Sequence, residues 1–300
     1  MNQSISSRHE IIQSYHDELV SIRNDFHMHP ELGFEEVRTS GRVMELLKEW
    51  GVEYITGFAK TAVIAVLHGT QPGPVIGVRA DMDALPLQDT KTVPYHSQVS
   101  GVCHACGHDA HTTVGLGLAK YYSAHPEDLR GTLKIVFQPA EEGPSPGGGI
   151  LVTESGMVDD IDIMLGIHTD PDYPIGKLVL CRGEMFASHD TINIEITGRG
   201  GHGAYPHLAH DPLNVAVQAY TAFQTIITKD VEPAQRALLN IVRMHCGQGN
   251  HSNVIEQSAV MGGSMRTFDK GVRQLIIDRM DCILKHLCEM NSCTYKLDVG

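Results

Sequence analysis

No run of about 18 consecutive apolar residues occurs anywhere in the 300-residue sequence, so no membrane-spanning helix is expected. The N-terminal stretch MNQSISSRHEIIQSYHDEL is polar and lacks the apolar core of a secretory signal. A basic excess is missing too. The formal charge is −13, and phosphate backbones want a basic surface, so no nucleic-acid partner is expected. The seven cysteines (103, 106, 181, 246, 282, 288 and 293) form no even, regularly spaced framework, and a chain of this length needs no covalent staples. They read as reduced thiols, which points to a cytoplasmic protein. Internal repeats, low-complexity tracts and heptad runs are also lacking.

What is there fits a globular protein: 42% of residues are hydrophobic and 20% charged. Single cores stop growing at about 250–300 residues, which favours two domains. Residues 8–28 and 34–50 have helical spacing, the first stopped by Pro30 and the second by Gly51. Apolar runs at 62–67 and 75–78 read as buried strands joined by the turn GTQPGP. A helix at 111–124 and strands at 133–137 and 163–167 follow. Strands alternating with helices predict an α/β domain with a mostly parallel sheet. From residue 186 the order becomes strand 191–197, helix 211–227, strands 237–244 and 259–266, helix 270–290 and strand 294–299. That β-α-β-β-α-β order predicts a ferredoxin-like α+β module. The expected division is 1–185 and 186–299.

Eighteen histidines justify a search for metal ligands. The densest cluster runs from Gly101 to His111 (GVCHACGHDAH). Thiolate and imidazole groups at such short spacing suit zinc and similar ions. The competing reading is a polar helix entry with Asp109 as N-cap. Gln138-Pro-Ala-Glu141-Glu142-Gly143 follows a predicted strand, where open α/β sheets place their sites. One of these carboxylates can hold metal while the other serves as general base. His168 ends another apolar strand and adds an imidazole. Asp81 and Asp83, in VRADMDALP, can ligate metal or orient a ligating histidine through its other nitrogen. Farther on, His202 lies in the glycine-rich GRGGHGAYPH, and Arg266 lies in MGGSMRT, a bidentate carboxylate binder if it faces a cleft.

Together these motifs resemble the amidohydrolase branch of the dinuclear metallopeptidases that include aminoacylase and carboxypeptidase G. Hippurate hydrolase and N-acetyldiaminopimelate deacetylase belong to that branch. The resemblance runs from RNDFHMHPELG, ending at Gly33, to Asn253-Val-Ile and Gly263-Ser-Met-Arg-Thr267. It implies a catalytic domain with an inserted lid, and a homodimer formed through that lid. Cys106, His108, Glu142 and His168 would hold up to two divalent ions (zinc or manganese, with cobalt or nickel also fitting). Glu141 would act as base, with Asp83 beside it in the catalytic group. His202 would meet the oxyanion, while Asn253 and Arg266 would hold the substrate's carboxylate.

The activity so implied is hydrolysis of small N-acyl amino acids. The segment HTDPDYPIG after residue 167 looks most like deacetylases acting on N-acetyldiaminopimelate in lysine biosynthesis. The rival readings are a dipeptidase or carboxypeptidase on the same metals, and an inactive metal-binding fragment. Cys106 and His108, in place of the peptidase-type His and Asp, favour the amidohydrolase. In the family the chain returns after the lid to supply a last histidine ligand. The sequence stopping at Gly300 is therefore expected to be a fragment, or else to carry an incomplete second metal site.

Overall fold

The computed structural model describes residues 2–143, 145–247 and 251–300. Two compact units divide the chain, Met1–Ile175 and Gly176–Gly300.

The first unit opens with helices α1 (Asn2–Ser14), α2 (His16–Met28) and α3 (Val37–Glu49). The single helix expected over 8–28 is interrupted at Tyr15. Strands β1 (Glu53–Ile55), β2 (Val63–His68) and β3 (Gln71–Asp81) follow, then α4 (His108–Ala124), β4 (Arg130–Gln138), α5 (Gly148–Glu154) and β5 (Ile163–Gly166). The sheet order is β1-β2-β4-β3-β5. It is parallel at β4-β3-β5 and antiparallel at β1-β2-β4. The parallel character predicted from the sequence thus belongs to the half that carries the acidic and histidine motifs. The connection from β1 to β2 is too short for a crossover, which needs a dozen or more residues, so those strands form a hairpin. β2 and β3 are not neighbours as their short link suggested, because β4 inserts between them.

One face of this sheet buries Val63, Ala65, Val78, Ala80, Ile135 and Phe137 against α2, α3 and α4. The smaller opposite face packs Ile64, Val66 and Val136 against Val152 of α5. Gly115 lets α4 lie close on the sheet, since a Cβ there would stand 3.0 Å from both Ile135 and Phe137. β5 is an edge strand exposed along its length.

The second unit contains β6 (Ser188–Thr197), β7 (Gly201–His202), α6 (Pro212–Lys229), β8 (Ala237–Cys246), β9 (Val254–Ile255), β10 (Ser258–Thr267), α7 (Lys270–Met290) and β11 (Thr294–Val299). Its main sheet is antiparallel in the order β11-β6-β10-β8. Counting those four strands in chain order, the arrangement is 4-1-3-2 with both helices on one face, a ferredoxin-like sandwich. Alternate residues Ile192, Ile194 and Ile196 of β6 point inward against Val215, Phe223, Ile276 and Leu284. Asp211 and Asp269 cap α6 and α7 by accepting the backbone N–H of Leu213 and Val272.

Candidate metal centre

The site is built where β3, β4 and β5 end together. Register pairs Asp81 with Gln138 and Arg79 with Gly166, so the residues following each strand emerge side by side. Asp83, Glu141–Glu142 and His168 therefore converge. The fourth contributor is the start of α4. There Gly107 adopts φ +86°, a left-handed conformation that turns the chain between Cys106 and His108. Gly107, not Asp109, is the N-cap. Asp109 lies in the first turn with its carboxylate buried, and it accepts hydrogen bonds from His27 Nδ1 at 2.6 Å and pairs with Arg23 Nε at 2.9 Å.

Three groupings share this volume: Cys106 with His108 and His168, His108 with Glu141 and Glu142, and Asp81 with His108 and His111. Cys106 Sγ is 3.2 Å from His168 Nε2. His108 is fully buried, and its Nδ1 is 2.9 Å from the Asp83 carbonyl oxygen and 3.2 Å from Asp83 Oδ1. That bond fixes the tautomer, leaving Nε2 as the lone-pair nitrogen. Nε2 has no hydrogen-bond partner, and Asp81 Oδ2 stands 3.6 Å away and Glu141 Oε2 4.0 Å away. Asp81 Oδ2 also lacks an aligned hydrogen bond, although Arg79 Nη1 lies 2.9 Å from it as an ion partner. His168 follows the same pattern. Its Nδ1 donates to the Thr169 carbonyl at 2.6 Å, and Nε2 faces the thiol.

The electrostatics point the same way. Burial, then Glu142, then Glu141, pushes the Cys106 thiol up to about 12. Glu141 is raised by burial first and by the Glu142 charge second. Burial alone would depress His108, but Asp83 and Asp81 more than offset it and hold its pKa above the ordinary value. Each of these shifts favours the protonated form of its group, the response of a pocket crowded with carboxylates. A divalent cation relieves that excess negative charge, and the orphaned, buried His108 Nε2 is the kind of atom it would satisfy. Soft thiolate, imidazole and carboxylate donors together fit such an ion.

Both oxygens of Asp83 are already engaged, Oδ1 with His108 and Oδ2 by the Glu142 N–H at 2.8 Å. This is the geometry of an orienting carboxylate. Sequence reasoning missed Glu36. It is fully buried, and it accepts the Ala140 N–H at 2.8 Å and the Thr61 hydroxyl at 2.7 Å. It thereby holds Ala140, which has φ +48°, at the corner that presents Glu141. Nothing in the acidic pair Glu35-Glu36 distinguished it from a solvated turn.

The remaining predicted residues lie in the second unit. β7 pairs with β9, which sets His202 opposite Val254, and the Gly203 N–H donates to the Asn253 carbonyl at 2.8 Å. His202 and Asn253 are thus neighbours on one exposed ribbon. Arg266 is exposed on β10, in the main sheet, at the register of His189 and Leu238.

An α/β domain with Cys, His and Glu donors at its strand ends, followed by a ferredoxin-like domain, describes a metallohydrolase. The match to known proteins is specific: residues 77–277 fit the model of peptidase family M20/M25/M40, and the chain belongs to that family. It is 38% identical to N-acetylcysteine deacetylase of Bacillus subtilis over 89% of this chain and 70% of that protein. Identity is also 38% with hippurate hydrolase of Campylobacter jejuni, covering 94% of this chain and 72% of that one. Among solved structures, the YXEP protein of Bacillus subtilis, described as a dinuclear metal-binding peptidase of the M20 family, superposes with a TM-score of 0.81. It shares 33% identity, covering 96% of this chain and 74% of that one. The chain is a metal-dependent amidohydrolase of this family. Among the described residues, no helix is long and apolar enough to cross a membrane.

Proposed function

We propose that the protein hydrolyses the amide bond of N-acyl amino acids, with N-acetyl substrates foremost, using divalent metal held by Cys106, His108, Glu142 and His168. The observation carrying this reading is the convergence of two imidazole Nε2 atoms and a thiol beside the adjacent carboxylates Glu141 and Glu142. Zinc suits the thiolate and imidazole donors, and the acidic surroundings accommodate up to two ions, with manganese, cobalt or nickel as alternatives. When bound, the metal supplies Lewis-acid polarisation of the acyl oxygen and makes water a better nucleophile.

The chain's own residues do the rest. Glu141, half-exposed and raised above the ordinary carboxylate range, takes a proton from the attacking water and delivers it to the leaving nitrogen. Glu142, held through its backbone by Asp83, would hold the metal. His202 stabilises the oxyanion, and Asn253 and Arg266 bind the substrate's free carboxylate.

A panel of acetylated and benzoylated amino acids, N-acetyldiaminopimelate and simple dipeptides tests the substrate class. Acyl amino acids are expected to be cleaved fastest, whereas faster dipeptide cleavage would overturn the reading. N-acetyldiaminopimelate, suggested by the segment after His168, ranking among the poorest would remove that subtype.

The second unit supports a homodimer. β8 is an edge strand with Val242 72% exposed, and beside it Val217 of α6 is 50% exposed over a shallow cavity of about 350 Å³. An apolar, unpaired edge suits a second copy of the same strand. Val242→Lys is expected to give monomers by sedimentation, and an unchanged mass would refute this interface. All seven cysteines are free, which supports a cytoplasmic location.

A further inference from the structure

We infer that His111 positions the His168 ligand, acting as a clamp between the loop after β5 and the carboxylate at the end of β3. This rests on the metal reading above. His111 lies three residues after His108 on the same face of α4 and is buried. Proximity to Asp81 and His108 would allow it to be a ligand itself. Its hydrogen bonds exclude that. The Thr169 N–H donates to His111 Nε2 at 2.9 Å, so this nitrogen carries no proton. The proton must then sit on Nδ1, which is 2.6 Å from Asp81 Oδ1 and donates to it. Both ring nitrogens are committed and no lone pair remains for a cation.

The clamp is anchored at one end and delivers at the other. Asp81 is fixed by Arg79 Nη1 at 2.9 Å, and its carbonyl accepts the Thr112 hydroxyl at 2.8 Å. At the other end, Thr169 uses every polar atom it has. Its N–H goes to His111, its hydroxyl donates to the Cys106 carbonyl at 3.2 Å, and its carbonyl accepts from His168 Nδ1 at 2.6 Å. The atom that sets the His168 tautomer therefore belongs to the residue His111 holds. Gly107 leaves room for this arrangement, because a Cβ there would lie 2.3 Å from Thr169 Oγ1. Other anchors are few. β5 is exposed along its length, and the chain from Ile167 to Ala187 is largely exposed and irregular. Without His111, Thr169 would keep its hydroxyl bond to Cys106 but lose the backbone tie that fixes the carbonyl facing His168 Nδ1.

The test measures zinc affinity of the metal-free chain by competition with a chromogenic chelator. His111→Asn keeps a donor for Asp81 but falls short of Thr169, and it is expected to weaken zinc binding about 10–100-fold, the usual effect of losing a partner that orients a ligand. His111→Gln can present an acceptor to Thr169 and is expected to recover most of that loss. His168→Ala should weaken binding alone, and adding His111→Asn to it should cost nothing more, because the first change has removed what the clamp acts upon. Additive losses would mean that His111 acts on metal independently and would overturn the clamp. Unchanged affinity in His111→Asn, with His168→Ala still defective, would also overturn it. Unchanged affinity in His168→Ala would instead refute the metal reading, and the clamp with it.

Discussion

Glu36 offers a test of how the fold presents Glu141, the residue proposed above as general base. Its carboxylate is fully buried and has two partners, the Ala140 N–H at 2.8 Å and the Thr61 hydroxyl at 2.7 Å. Glu36→Ala leaves the Ala140 N–H without an acceptor, which costs about 1–3 kcal/mol in a buried position. The void left by the side chain adds about 1 kcal/mol. The expected loss is therefore about 2–4 kcal/mol, read from urea unfolding. Activity should fall more than stability accounts for. Ala140 holds φ +48°, a conformation that costs a non-glycine residue about 1–2 kcal/mol. Once untethered it relaxes and carries Glu141 out of line.

Glu36→Gln is the control. It keeps an acceptor for Ala140, turns its amide toward Thr61 and removes the charge, so it should remain within about 1 kcal/mol of wild type. The sign of the pH effect follows from burial, which is the leading cause and raises the pKa of Glu36. The folded state then binds the proton more tightly than the unfolded one. Wild type loses stability relative to Glu36→Gln as pH rises from the ordinary carboxylate pKa through the raised value. Glu36→Gln as damaging as Glu36→Ala would refute the reasoning, since charge rather than the two accepted bonds would then matter. Full activity in Glu36→Ala would refute the tether.

Two further outcomes follow from the structure. Asp89 is held at about 2 by the backbone N–H groups of Ser97 and Lys91. Its folded pKa is depressed, so its contribution, up to about 2 kcal/mol, is present above the ordinary carboxylate pKa and is lost as pH falls toward the depressed value. Asp89→Asn should flatten that part of an acid-unfolding profile, and an unchanged slope would contradict it. Asp269 caps α7 through the Val272 N–H at 2.9 Å, so Asp269→Ala should cost about 1 kcal/mol in unfolding of the second unit without altering zinc affinity. A change in metal binding would contradict that separation.

The strands that carry the site were legible because each is a largely apolar run with an acid or histidine at or just beyond its end: Val78 to Asp81, Leu133 to Gln138 with Glu141 after it, and Ile163 to Gly166 with His168 after it. The ferredoxin-like order was legible for the same reason, since the isoleucines of β6 alternate strictly with polar residues. Other features depend on what the chain meets in space. The insertion of β4 between β2 and β3 is set by pairing across sixty residues, and no local pattern announces it. β1 is too short to show a period, and α5 grows from a glycine-rich stretch that resembles a loop. Cys106, His108, Glu141, Glu142 and His168, read from separate motifs, are brought together in one site. The partners of His111, Glu36 and Asp109 were not legible, because each depends on a hydrogen bond to a residue distant in sequence. His111 had one visible signal, its three-residue spacing from His108 on a helix.

In the function proposed above, Cys106 holds the metal while Glu141 moves protons. Titrating the metal-free chain with cobalt(II) tests this, because a cysteine thiolate bound to cobalt gives a charge-transfer absorption that imidazole and carboxylate do not. The band should appear in wild type and in Glu141→Gln, the latter without turnover, and should vanish in Cys106→Ser. A band that survives Cys106→Ser, or near-normal turnover in metal-loaded Glu141→Gln, would contradict the account.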